Sequence, residues 1–164
     1  LAVLLYQASP HAAYVGVDPD EDAVRLARSK AAHSGGAAKF VVGHFPSAVP
    51  SGPVDVIVSS LVLHQVSLAE KERILAAAFD RLNPGGRLIL ADYGLQDTAL
   101  ARVLFRATVQ FVDGRANTQP NAEGVLPALI EKVGFSAIDL RGKWRTMTGV
   151  IYMYVAAKPL ASAT

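Results

Sequence analysis

Four places in the sequence put a polar or proton-bearing side chain directly after a short apolar run. Asp18 follows "AAYVGV", Gly43 and His44 follow "AKFVV", Ser59 and Ser60 close "VDVIVSS", and Asp92 with Tyr93 closes "RLILADY". Each run has the length and composition of a buried strand, and strand ends of a parallel sheet are where ligands bind. Asp18 has two readings. Its carboxylate can accept hydrogen bonds from a ligand, or it can cap the helix that Pro19 opens. Asp20, Glu21 and Asp22 read as exposed first-turn acids favoured by the helix dipole. His64, just after the third run, is the candidate general base, against packing beneath the neighbouring helix or facing solvent. Tyr93 would line a pocket or simply pack, and Asp92 reads as a strand-end cap.

Other chemistries find no support. The four histidines do not form metal-ligand spacing, His11 and His33 look structural, and neither an "HExxH" nor a "GxSxG" pattern occurs. The absence of cysteine excludes disulfides and thiolate metal sites and fits a cytoplasmic chain.

The elements that must position these residues follow from periodicity. "LAVLLYQA" reads as a helix broken at Ser9 and Pro10. Strand "AAYVGV", expected to be buried on both faces, leads through Asp18-Pro19 into the helix "EDAVRLARSKAAH". That helix carries Val24, Ala27 and Ala31 on one face and ends at Gly35-Gly36. "AKFVVG" is a second strand, a loop with Pro46 and Pro50 follows, and "VDVIVSS" is the third. Ser67 and Glu70 form a capping box for "LAEKERILAAAFDRL", with Leu68, Leu75, Phe79 and Leu82 as its core face. "NPGG" ends this helix and turns into "RLILADY". Alternation of helix and strand argues for a parallel sheet with right-handed crossovers.

Beyond it the pattern changes. Residues 98–112 read as a helix, 113–121 as a polar loop, and "AEGVLPALIEKVGF" as a helix ended by Gly134. "SAIDLRG" and "GVIYMYVAAKP" read as an antiparallel strand pair at the sheet edge.

Composition sets the outer bounds. The chain has 164 residues, 51% of them hydrophobic, with a mean hydropathy of +0.29 and a net charge of +2. These values suit one folded domain over 1–164, and the interspersed charges give no nucleic-acid stripe. No apolar run approaches the roughly 20 residues of a membrane-spanning helix.

Taken in order, "YVGVDPDEDAVRLARSKA", "VDVIVSSLVLHQV", "AFDRLNPGGRLILADYG" and "LPALIEKVGF" resemble the class I S-adenosylmethionine-dependent methyltransferases. The resemblance is greatest to the small-molecule branch with ubiquinone/menaquinone-biosynthesis-type enzymes, and it spans nearly the whole chain. It implies an α/β fold with a Rossmann-like sheet, mostly parallel, with an antiparallel C-terminal strand pair. It implies S-adenosylmethionine as cofactor, with Asp18 on the ribose, and Pro19 beside the adenine opposite Gly43, His44 and Phe45. Ser59, Ser60 and Leu61 would line the methionine part and sulfonium, with His64 and Tyr93 toward a small-molecule acceptor. The helix carrying Arg106 and the loop through Asn117 and Asn121 sit where the family places its acceptor cap. Leu104, Phe105 and Phe111 there suggest an aromatic or lipid-like acceptor, core packing or a homodimer face.

Two features depart from the family. Its acidic residue toward the adenine amino group is replaced by "GHF". Its "DxGxGxG" loop and the strand before it are absent, and "LAVLLYQASP" corresponds to the helix that follows them. The expectation is therefore a sequence that omits, or has lost, an N-terminal segment with the first strand. The first functional reading is methyl transfer to a small, fairly apolar acceptor. The alternative is a non-catalytic methyltransferase-like remnant that self-associates or binds a partner. A nicotinamide-dependent dehydrogenase would suit Asp18 but fits the "NPGGR" turn and the final strand pair less well.

Overall fold

Each apolar run singled out above forms a strand in the computed structural model, which describes residues 2–33, 38–49 and 51–161. The chain divides into two units, Leu1–Ser51 and Gly52–Thr164. No helix among the described residues is long and apolar enough to cross a membrane.

The first unit contains α1 (Ala2–Ala8), β1 (Val15–Asp18), α2 (Glu21–His33) and β2 (Lys39–Val42). β1 and β2 are parallel, with Val15 opposite Lys39 and Asp18 opposite Val42. Val24 and Ala31 are the buried positions of α2, and the Arg28 guanidinium fastens the helix to β2 by donating to the Phe40 carbonyl at 2.7 Å. Gly16 leaves room for the Phe40 ring, because a Cβ there would lie 2.6 Å from it.

Two expectations change in this unit. β1 is only four residues long, and its end residues are exposed rather than buried on both faces, because it pairs with β2 alone among the described residues. The helix opens two residues later than Asp18-Pro19 suggested. Asp20 is the capping residue, its Oδ1 accepting from the N–H groups of Asp22 and Ala23 at 2.8 and 3.3 Å. The predicted stop at Gly35-Gly36 lies outside the described residues.

The second unit is built on the sheet β3-β4-β6-β5. Its strands are β3 (Val54–Ser60), β4 (Leu82–Tyr93), β5 (Ser136–Thr146) and β6 (Gly149–Ala157). β3 and β4 run parallel, β6 is antiparallel to β4, and β5 is antiparallel to β6 at the edge. The predicted antiparallel C-terminal pair is thus present, in a mixed sheet.

Helices α3 (Leu68–Arg81) and α7 (Leu126–Lys132) cover one face of this sheet. Leu88 and Leu90 of β4 and Val150 and Ala156 of β6 meet Leu75, Leu126 and Ile130 in one core. Each buried leucine or isoleucine there contributes about 1.5–3 kcal/mol by leaving water. Of the predicted core positions, Leu75 and Leu82 are buried and Phe79 packs against them, whereas Leu68 is exposed; Lys71 and Ala78 are buried as well.

Three further elements differ from expectation. "NPGG" is not a separate turn but a bulge within β4, where the register with β3 jumps from Val54–Leu82 to Val56–Arg87. Residues 98–112 form two helices, α4 (Ala99–Ala107) and α5 (Val109–Asp113), broken at Thr108. The Thr108 hydroxyl donates back to the Leu104 carbonyl at 2.7 Å, an alternative to the helical ladder that bends the chain. The predicted polar loop 113–121 is largely helix α6 (Arg115–Ala122). Its inward side chains are polar: Thr118 donates to the Gly114 carbonyl and Asn121 Nδ2 to the Tyr93 carbonyl, at 2.7 and 2.8 Å. A helix whose buried face is polar shows no apolar period.

Candidate active site

At the carboxyl end of β3 the backbone turns sharply. Leu61 has a φ of 57°, a left-handed conformation that an L-leucine adopts at a cost of about 1 kcal/mol. It is held there by its N–H, which donates to the Ala91 carbonyl of β4 at 2.9 Å. The chain then enters a single 3₁₀ turn, Leu63–Gln65, whose first N–H groups have no partner within the turn and need acceptors.

Asp92 supplies them from the end of β4. It lies on the same face of the strand as Leu88 and Leu90 and is fully buried, 0% exposed. Its Oδ2 accepts from the N–H groups of Val62, Leu63 and His64 at 3.1, 2.7 and 3.4 Å. Its Oδ1 accepts from the Tyr93 N–H and meets Nδ1 of His64, both at 2.7 Å. Asp92 is therefore a cap, as its position suggested, but it caps the neighbouring turn and orients a histidine at the same time.

His64 is 4% exposed. A carboxylate that already accepts four backbone N–H groups makes Nδ1 the donor, so the neutral ring keeps its lone pair on Nε2. The Asp113 carboxylate, at the end of α5, lies 3.6 Å from Nε2. That is too long for a hydrogen bond. The Tyr93 ring stands edge-on to the imidazole with 4.9 Å between centroids, and its hydroxyl is hydrogen-bonded to that of Thr148 at 2.7 Å. This arrangement can hold a proton acceptor in one tautomer and one orientation.

Behind His64 lies Lys71, 0% exposed. Its ammonium donates to the carbonyl of Val66 and, at 2.7 Å, to that of Asn117, so it ties the 3₁₀ turn to α6. Asn117 returns the connection by donating to the Gln65 carbonyl at 2.9 Å. Burial pulls the Lys71 pKa from 10.5 down to about 8, and the Asp92 carboxylate opposes that shift. Neither Lys71 nor Asp113 stood out in the sequence. Position 71 sits on the i, i+4, i+7 stripe with Leu75 and Ala78, which is the signal that would have marked a buried lysine.

The remaining predicted residues fall into two groups. In the second unit, Ser59 is half-buried and pairs with Leu90, Ser60 is exposed and pairs with Ala91, and the exposed Leu61 bonds to the Ala91 carbonyl. In the first unit, Asp18 and Gly43 are brought together, the Gly43 N–H donating to the Asp18 carbonyl at 2.9 Å. Pro19 and His44 are exposed next to them, and Phe45 is half-buried. One oxygen of the exposed Asp18 carboxylate accepts from the Asp20 N–H at 2.8 Å. The residue is thus an Asx-turn acceptor rather than the helix cap.

Comparison with known proteins draws these features together. A family model described as a methyltransferase domain matches residues 1–88. An uncharacterized methyltransferase of Geobacillus kaustophilus is 32% identical over 98 residues, which cover 57% of this chain and 45% of the relative. An uncharacterized methyltransferase of Alkaliphilus oremlandii is 32% identical over 78 residues, covering 48% of this chain and 34% of that protein. The chain thus spans less than half the length of these curated relatives. Among solved structures, a SAM-dependent methyltransferase from Methanosarcina mazei superposes with a TM-score of 0.70 at 24% identity, covering 96% of this chain and 87% of that one. Magnesium protoporphyrin IX methyltransferase from Synechocystis gives a TM-score of 0.73 at 22% identity, covering 96% and 68%. At these identities the structural likeness speaks for the fold.

Proposed function

The chain belongs to the methyltransferase-domain family, and on that premise we propose that it carries out S-adenosylmethionine-dependent methyl transfer to a small, fairly apolar acceptor. The observation that carries this reading is the buried Asp92–His64 pair at the carboxyl end of the β3–β4 pair, with Nε2 left as the basic atom. A fixed proton acceptor is what methylation of a weakly acidic hydroxyl or amine requires.

The residues present fit the cofactor. A ribose diol needs an acceptor with spare lone pairs, and the exposed Asp18 carboxylate spends one oxygen on the Asp20 N–H while retaining the rest of its accepting capacity. Gly43, His44 and Phe45 begin directly beside Asp18 and offer a glycine backbone, an imidazole and a ring edge for the adenine, with Pro19 on its other side. From the second unit, Ser59, Ser60 and Leu61 are assigned to the methionine part. When bound, S-adenosylmethionine supplies a methyl group on a positively charged sulfur. His64 takes the acceptor's proton on Nε2, and Asp92 fixes its tautomer and orientation. Tyr93 closes the acceptor side and excludes water from the imidazole.

Titrating the intact protein with S-adenosylhomocysteine in a calorimeter tests the reading. Saturable heat, weakened about tenfold or more in Asp18→Asn, is expected from the loss of charge-assisted hydrogen bonds. Absence of binding heat would remove the enzymatic reading and favour the non-catalytic alternative.

A further inference from the structure

A concave site lies in the second unit, between α4 and α6. It is a cleft of about 380 Å³ floored by the buried Phe105 ring, with Leu95 and Ala122 beside it. One wall carries Arg102 and Arg106, four residues apart and so on neighbouring turns of one helix face. Two like charges at that spacing repel each other. No carboxylate of this chain pairs with either among the described residues. Arg102 donates through one Nη to the Gln96 carbonyl at 3.1 Å, and the Arg106 guanidinium makes no hydrogen bond or ion pair among the described residues.

The opposite wall is ordered. Gln110 Nε2 donates to Gln119 Oε1 at 2.9 Å, and Gln119 Nε2 donates to Glu123 Oε1 at 2.7 Å. The two amides are fixed in direction by a string that ends on a carboxylate. Glu123 stays out of ion-pair range of the two arginines although it lines the same cleft, so the guanidiniums are left with spare donors.

We propose that this cleft binds a small monocarboxylic acid, its carboxylate between Arg102 and Arg106 and its apolar body on Phe105. Two guanidiniums present the forked donors that match a carboxylate in bidentate geometry. The cleft carries two positive charges and one negative, which suits a monoanion, and Glu123 disfavours a dianionic phosphate ester. A hydroxyl or amine on the far end of the ligand finds its acceptor in Glu123. The inference does not rest on methyl transfer, because none of its residues is among those assigned to the cofactor or to proton transfer.

The test is calorimetric titration of the intact protein, without cofactor, with 4-hydroxybenzoate, hexanoate, methyl 4-hydroxybenzoate and phenyl phosphate. The two acids should bind saturably at millimolar concentration or below, and the neutral ester should not. Both Arg106→Gln and Arg102→Gln should weaken the acids about tenfold. Arg141→Gln, on the exposed β5 where Arg141 pairs with Asp139, should leave binding unchanged. Both cleft arginines are exposed, so the variants should keep the circular dichroism spectrum of the parent. The proposal is overturned if neither acid binds, if the ester binds as well as the acid, or if the arginine variants leave affinity untouched. Tighter binding of phenyl phosphate would also overturn it and make the cleft a phosphate site.

Discussion

Replacing Asp92 by asparagine keeps the shape of the side chain and changes only what its two terminal atoms can do. Oδ2 serves three N–H groups, so the amide oxygen must turn toward them to avoid three donor–donor clashes. The amide nitrogen then faces the Tyr93 N–H and Nδ1 of His64, each 2.7 Å from the former oxygen. The Tyr93 N–H loses its acceptor while buried, at a cost of about 1–3 kcal/mol. The short bonds to Leu63 and His64 lose their charge assistance, which costs about 1 kcal/mol each. The expected destabilisation is therefore about 3–5 kcal/mol. In a chain of this size that corresponds to a fall in melting temperature of roughly 6–20 °C.

His64 must also change tautomer, since Nδ1 now meets a donor and Nε2 acquires the proton. Urea unfolding followed by circular dichroism gives the first quantity, and nitrogen-15 imidazole shifts at neutral pH give the second. A loss below about 1 kcal/mol would refute the reasoning that Asp92 is the structural keystone of the turn. So would an Nε2–H tautomer in the unsubstituted protein.

Two further outcomes follow from the same geometry. Lys71 holds its proton less tightly folded than unfolded, so between pH 8 and 10.5 the unfolded chain binds more protons and stability rises with pH. Against Lys71→Met, the parent protein should gain about 3 kcal/mol across that window, read as the difference in urea midpoints, and a parallel pair of profiles would contradict the buried charge. Asp18 and Asp20 separate ligand binding from folding. Asp20→Ala should cost about 1 kcal/mol through loss of the α2 cap. Asp18→Asn, whose amide oxygen can still accept from the Asp20 N–H, should leave stability within about 0.5 kcal/mol while weakening S-adenosylhomocysteine binding, as thermal shifts with and without ligand would reveal.

The strands were legible as short runs rich in apolar and β-branched residues, and these runs end at Asp18, Val42, Ser60 and Tyr93 in the structure. The C-terminal antiparallel pair was legible for the same reason. What escaped the sequence is polar and long-range. His64 and Asp92 stand 28 positions apart, and only the parallel pairing of β3 with β4 makes them neighbours. Lys71 looks like a surface charge because its neighbours in "LAEKERIL" are charged, yet the helical stripe turns it inward. Residues 113–121 looked like a loop because the side chains that α6 buries are Thr118 and Asn121. The shift of the cap from Asp18 to Asp20 lies within a run of four carboxylates, any of which can accept an N–H.

The polar underside of α6 also sets how the helix can come away. Directed bonds hold it, from Asn117 to the Gln65 carbonyl, from Lys71 to the Asn117 carbonyl and from Asn121 to the Tyr93 carbonyl, with Ala122 as its small apolar contact. Exposing apolar surface raises heat capacity on opening, and exposing polar surface lowers it. Lifting α6 would therefore change heat capacity little, and its equilibrium would respond to temperature in a single direction. The leucine-filled sheet behind it follows the usual dome, weakening in the cold as well as in the heat. The two layers of one small unit thus answer to different thermometers, and cooling tightens the outer latch while it loosens the core beneath.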